Sequence, residues 1–301
     1  MTATQTLLTR TGARPRATTH GKDRPLSVVA STGIMIAFAI YFLVPLWWLI
    51  VASSKTRADL TSTPGLWFSP DEFALFDNLA ALFAVNGGVF GTWAWNSLLY
   101  AGIGGALGTL IAVMMGYALA KYDFRGRNTL FSIVLGAILI PGTALALPLF
   151  LVFGALNLTD TFWSVFLPSL VSPFGVYLGR IYASASVPDE LLEAARLDGA
   201  SELRTFFTVS LRLLAPVLVT IFLFQFTQIW NNFFLPLVML QDDTLYPLNL
   251  GLYTWNSQIY LAPELRLLVI VGSLVAIVPV VIAFLMLQRF WQTGLAAGSV
   301  K

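Results

Sequence analysis

The chain has 301 residues, 57% of them hydrophobic and only 11% charged, with 17 basic and 15 acidic side chains and a formal net charge of +2. Soluble domains carry about 25% charged residues, so this composition, with its mean hydropathy of +0.78, belongs to an integral membrane protein. It excludes a disordered chain and an ordinary soluble enzyme, and so small a net charge offers no footprint for nucleic acid. With no cysteine and a single histidine, His20, the chain cannot build a thiol nucleophile, a serine–histidine triad or a Cys/His metal centre. No catalytic residue and no metal site is expected.

Residues 1–25 are polar, Thr- and Arg-rich and without apolar period, which predicts a disordered tail. Behind it lies a transmembrane domain over 26–301. The apolar stretch 26–51 exceeds the roughly 7–15 residues of a signal core and is read as a retained span. A membrane helix needs about 20 apolar residues to cross about 30 Å. Charge-free runs predict six spans, near 27–51, 95–120, 129–154, 161–180, 213–240 and 267–288. The charge-free run before Lys121 is too long for one helix, and Asn86, Gly87 and Gly88 interrupt it, so 77–94 is read as interfacial. If the N-terminus is inside, the inner segments hold 14 of the 17 basic residues and the outer ones only Lys55, Arg57 and Arg266. Both termini are therefore expected in the cytoplasm.

No span interior carries an ionisable residue, which argues against a proton- or sodium-coupled carrier and a voltage sensor. No phosphate-binding G-x-x-x-x-G-K-[ST] loop is present, so ATP would have to be used by a separate chain. In the second span Gly104, Gly108, Ala112 and Gly116 recur every four residues. Such a strip lets two helix backbones approach closely, either inside the bundle or against a partner subunit. Pro141, Pro148, Pro168, Pro173, Pro216, Pro236 and Pro279 punctuate the later spans as expected kinks.

The predicted cytoplasmic loop 184–212 is the most informative segment. Ser186 is read as an N-cap with Asp189 three residues on; Asp189, Glu193 and Arg196 share one face, and Leu191, Leu192 and Ala195 another. Asp198-Gly199 reads as a helix stop and Ser201 as the cap of a second helix. Two short helices joined at Gly199 result, and Ala194, Ala195, Gly199 and Ala200 leave a surface that another protein can approach. Four acids (Asp189, Glu190, Glu193 and Asp198) argue against a connector resting on anionic lipid.

Glu193-Ala194-Ala195 followed by Asp198-Gly199-Ala200 resembles the E-A-A…D-G-A loop of binding-protein-dependent ABC importer permeases. Asn96-Ser97, the run 117–121, Gly126-Arg127, the run 188–191, the run 230–233 with Pro236-Leu237, and Gln288-Arg289-Phe290 are similar to the carbohydrate branch. The ending 294–301 is similar to the maltose-type smaller permease subunit. The resemblance implies an all-α, six-span permease of the type I importer fold, with Glu190, Glu193, Ala194, Ala195, Asp198, Gly199 and Ala200 docking on an ATPase. It implies a second permease subunit, two ATPase subunits that bind ATP and Mg²⁺, an extracytoplasmic sugar-binding protein, and a lipid bilayer as surroundings. Arg212 stands where the family usually has proline, so the turn into the fifth span is either less kinked or moved to Pro216; Ser299 stands where alanine is common.

Sugars are held by aromatic faces and amide side chains. Trp230, Asn231 and Asn232 offer both, as do Tyr253, Trp255 and Asn256; helix packing and an interfacial aromatic belt account for the same residues equally well. An importer of sugar phosphate or another polar solute, and a self-sufficient secondary carrier, remain as alternatives.

Overall fold

The computed structural model describes the backbone of residues 25–298 and the side chains of 28–288 and 290. The tail with His20, the Arg289 side chain, Ser299 and the C-terminal Lys301 lie outside the described residues. Among those described the backbone is helical and forms no strand. The chain divides into two compact units, Met1–Trp47 and Trp48–Lys301.

The first unit holds most of α1 (Pro25–Ser53). Residues 28–47 are exposed on every side and nearly all apolar. A helix without a polar face suits hydrocarbon rather than water.

In the second unit a single turn, α2 (Asp59–Ser62), leads to α3 (Leu75–Ala84) and α4 (Val89–Leu98). Asn86, Gly87 and Gly88 all take positive φ between these two helices, which is the interruption the sequence predicts. A π-helical turn, Leu99–Ile103, joins α4 to α5 (Gly104–Lys121). Next come α6 (Arg127–Ile138) and α7 (Gly142–Ala155), α8 (Phe162–Ser169) and α9 (Pro173–Ser186). The loop helices α10 (Asp189–Leu197), α11 (Glu202–Thr205) and α12 (Leu211–Leu213) precede α13 (Ala215–Trp230), α14 (Phe234–Met239), α15 (Leu248–Ser257) and α16 (Leu265–Gly298).

Four stretches are long and apolar enough to cross a membrane: Val28–Ser53, Leu75–Lys121, Phe162–Ser186 and Leu265–Gln288. Two bent pairs bring the number to six if each is one broken span. They are α6 with α7, bent by 107°, and Glu202–Leu213 with α13, bent by 84°. The spans expected at 129–154 and 213–240, with kinks at their prolines, are bent sharply enough to be broken. Pro141 caps α7 from an extended conformation, which forces the first bend. The expected span 213–240 breaks twice, at Leu214 and at 231–233, leaving α14 as a separate short helix. Pro216 sits in the first turn of α13 and a π-helical turn at Phe206–Ser210 precedes α12. With Arg212 in place of proline, the turn has moved to Leu214–Pro216. Of the other expected kinks, Pro148, Pro168 and Pro279 lie inside helices, whereas Pro173 opens α9 with Ser172 as its cap.

The two larger of three apolar clusters organise this unit. One gathers Phe90, Trp93, Trp230, Leu248, Trp255 and Val271; the other joins Val113 and Tyr117 of α5 to Leu192, Phe206, Leu214 and Ile221. Lipid is as apolar as leucine, so inside a bilayer close packing and hydrogen bonds, not apolar burial, hold such helices together.

Candidate functional site

The 184–212 loop forms the helix–glycine–helix element that the sequence predicts, with one correction. Ser186 is the last residue of α9, not a cap; Val187 is buried, its N–H closes α9 on Ala183 O, and Pro188 occupies the cap position of α10. The carboxylate that would have completed a capping box, Asp189, accepts from Lys121 Nζ instead, at 2.8 Å. Helix α10 ends in a complete Schellman motif. Ala200 N–H bonds Ala195 O and Gly199 N–H bonds Arg196 O, each at 3.0 Å, with Gly199 at φ +75°. Ser201 Oγ accepts from Arg204 N and caps α11.

Leu192 anchors α10 in the second apolar cluster. Glu190, Glu193, Ala194, Asp198 and Gly199 are exposed, and Ala195 and Ala200 half-buried. A Cβ built on Gly199 meets nothing within 4 Å, so a partner surface can come close to it. Of the face shared by Leu191, Leu192 and Ala195 only Leu192 is buried; Leu191 and Leu203 are exposed, and Leu197 is 89% exposed. Exposed leucines thus stand among the acids of this loop.

The loop is tied to the end of α5. The Lys121 side chain is only 6% exposed, although its partner Asp189 is 75% exposed. Tyr122 Oη donates to Glu202 Oε2 at 2.7 Å, and Arg196 Nε donates to Glu202 Oε1 at 2.8 Å. The Arg196 guanidinium, followed by the Tyr122 hydroxyl, holds the Glu202 carboxyl below its ordinary range. Ser210 Oγ donates to Tyr117 Oη at 3.2 Å, and the Tyr117 ring lies against Phe206 at 5.1 Å.

Gly104, Gly108, Ala112 and Gly116 are all buried on one face of α5. A Cβ on Gly108 would lie 2.9 Å from Leu170 O, and one on Gly116 would lie 2.6 Å from Arg180 N and 2.7 Å from Val176 O. The strip faces α8 and α9 of this same chain. Of the two readings open in the sequence, the seam inside the bundle is the one observed. Where α6 passes α9, the Arg180 guanidinium covers the Phe131 ring at 3.7 Å.

The residues expected to touch sugar are divided by the structure. The Trp230 indole is 4% exposed, stacks on Phe226 and donates to Ala276 O at 3.1 Å; Trp255 is 5% exposed and packs on Trp93 and Phe90. Both rings belong to the core and leave no face for a ligand, which corrects the expectation for these two. Asn231 and Asn232 sit at the break after α13, where Asn231 Nδ2 returns to Thr227 O and Asn232 Oδ1 accepts from Leu235 N. Tyr253 is 47% exposed beside Phe233, and Asn256 is exposed.

A second grip lies at the other end of the α4–α5 stretch. Trp93 Nε1 donates to Asp243 O, Asn96 Nδ2 to Thr244 O and Tyr246 O, and Tyr100 Oη to Leu245 O. Ser97 Oγ accepts from Leu248 N at 2.7 Å. Positions 93, 96, 97 and 100 follow helical spacing, so one face of α4 and its π turn holds the connection 243–248. This hold on 244–248 is what the Asn96-Ser97 pair of the family resemblance does. On the neighbouring connection, Asp160 accepts from Gln241 N and Asp242 N. Lys55, buried at the end of α1, donates to Thr63 Oγ1 and Pro64 O.

Membrane-length helices with an exposed helix–glycine–helix element tied to one of them are the features of a membrane transport subunit. The chain belongs to the family of binding-protein-dependent transport system inner membrane components, whose model matches residues 108–293. The arabinooligosaccharides transport system permease protein AraQ of Halalkalibacterium halodurans is 39% identical over 88% of this chain and 93% of its own length. Its namesake in Bacillus subtilis is 35% identical over 94% and 99%. In fold, the chain is similar to a crystal structure of a bacterial ABC transporter involved in the import of the acidic polysaccharide alginate. That likeness has a TM-score of 0.77 at 24% identity and covers 88% of this chain and 96% of the other. The chain is thus an inner-membrane permease component and not itself an enzyme; in this family the ATPases, a partner permease and the binding protein are separate chains.

Proposed function

We propose that this chain is one of two permeases in a bacterial ATP-driven importer of uncharged oligosaccharides. Its partners are a second permease subunit, two ATPase subunits that bind ATP and Mg²⁺, and an extracytoplasmic sugar-binding protein. The observation that carries this reading is likeness over nearly the full chain to permeases named for arabinooligosaccharide transport. Relatives named for lactose, for melibiose, raffinose and stachyose, and for diacetylchitobiose support a neutral di- or oligosaccharide, as do span interiors without ionisable groups.

Both termini and the 184–212 loop face the cytoplasm, in keeping with the distribution of basic residues. Closure of the ATPase pair presses on the exposed surface from Glu190 to Ala200. The two bent spans let the bundle rock and open outward to receive sugar. Within this chain Asn231, Asn232, Tyr253 and Asn256 are the residues left to face the path. Deleting the gene should abolish cellular uptake of radiolabelled arabinotriose and spare glucose uptake. Unchanged arabinotriose uptake in the deletion strain would refute an arabinooligosaccharide as the substrate.

A further inference from the structure

The end of α5 touches both loop helices through side chains that the docking surface does not use. Lys121 reaches Asp189 at the start of α10, while Tyr122 reaches Glu202 at the start of α11, and Arg196 from the last turn of α10 shares that carboxylate. Leu192 and Phe206 pack with Tyr117 of α5 in the second apolar cluster, but the packing is open beside these polar ties. A half-open apolar pocket of about 240 Å³ lies between Tyr117, Tyr122, Glu202, Leu203 and Phe206. At its other flank α5 is seated on α9 with backbone against backbone at Gly116, an interface that cannot slide without steric cost.

From this geometry we propose that Lys121 and Tyr122 form a latch that makes α5 move as one body with α10 and α11. The inference rests on the coupling role given to the loop above, and Lys121 and Tyr122 act in it as positioning residues. When the ATPase displaces α10, the Lys121–Asp189 pair and the Tyr122–Glu202–Arg196 bridge pull α5. The glycine seam then carries that movement to α9. Without the polar ties the pocket lets the loop helices tilt while α5 stays behind, and ATP is hydrolysed without opening the path. Each tie is partly exposed, so breaking one shifts the latched population by about threefold and breaking both by about tenfold.

The chain has no cysteine, so Arg125→Cys and Arg204→Cys place spin labels just past α5 and on α11 without background from this subunit. The labelled chain is assembled with its partner permease, ATPases and binding protein. With the latch intact, the distance between labels stays the same in the nucleotide-free and ATP-bound complex. Lys121→Met with Tyr122→Phe, which keeps the apolar stem and the ring, should make that distance nucleotide-dependent and raise the ATP consumed per arabinotriose imported about threefold or more. Exchanging the charges, Lys121→Asp with Asp189→Lys, should restore both. A distance that ignores nucleotide in the double variant, or changes with nucleotide in the parent, overturns the latch. If the parent complex imports no arabinotriose, the proposed substrate falls, while the label distance still decides for or against the latch.

Discussion

Replacing Gly116 by alanine adds one methyl group where α5 meets α9. That methyl would stand 2.6 Å from Arg180 N, 2.7 Å from Val176 O and 2.8 Å from the Gly179 carbonyl carbon. All three are backbone atoms, so no rotamer change relieves the clash. To reach ordinary contact at 3.4 Å, α9 must retreat by about 0.8 Å along its contact with α5. Overpacking of this kind costs about 1–3 kcal/mol, and a backbone neighbour puts the cost at the upper end. Alanine recovers about 1 kcal/mol as a better helix former, which leaves about 2 kcal/mol of destabilisation. Gly136→Ala in α6 is the matched control, because a Cβ there meets nothing within 4 Å and only the helical gain remains. Thermal unfolding of the purified protein should show Gly116→Ala melting about 5 °C lower and Gly136→Ala unchanged or higher. Equal melting temperatures for the two variants would refute the seam as a backbone-to-backbone contact.

Three further outcomes follow from single contacts. Gly199→Val strains a φ of +75° by about 1–2 kcal/mol yet meets no neighbour, so the subunit should reach the membrane while sugar uptake falls and ATP hydrolysis persists; normal uptake would remove Gly199 from the coupling element. Ser97→Ala leaves the buried Leu248 N–H without its partner at a cost of about 1–3 kcal/mol, so hydrogen exchange at that amide should quicken about tenfold or more. Unchanged exchange would show that the clamp on 243–248 does not depend on Ser97. Trp230→Phe keeps the stacking on Phe226 but loses the bond to Ala276 O. Stability should drop by about 1 kcal/mol with the KM for sugar unchanged, and a large rise in KM would make the indole a substrate contact after all.

Much of the site is legible in sequence because its signals are local. Gly199 and Ser201 act within one turn of themselves, so their identities alone mark where α10 stops and α11 starts. The four-residue spacing of Gly104, Gly108, Ala112 and Gly116 likewise marks a seam, although only the structure says which helix fills it. The bends escape a count of apolar residues, since the run around Pro141 is as hydrophobic as a straight span and the 107° turn costs it no hydrophobicity. Trp230 and Trp255 mislead for a related reason, because composition alone cannot distinguish a tryptophan that packs a core from one that lines a path. The ties of Lys121 to Asp189 and of Tyr122 to Glu202 bridge 68 and 80 residues of chain. No local pattern encodes contacts at that separation, and Lys121 in sequence is simply a positive charge at a helix end.

On the reading proposed above, this chain imports sugar only when a separate ATPase drives it. Uptake of radiolabelled arabinotriose into proteoliposomes tests this most directly, with the chain alone or together with its partner permease, ATPases and binding protein. Accumulation should require the full set together with ATP, and it should vanish when any one component is left out. Uptake by the chain alone without ATP, or none by the complete assembly, would contradict the account.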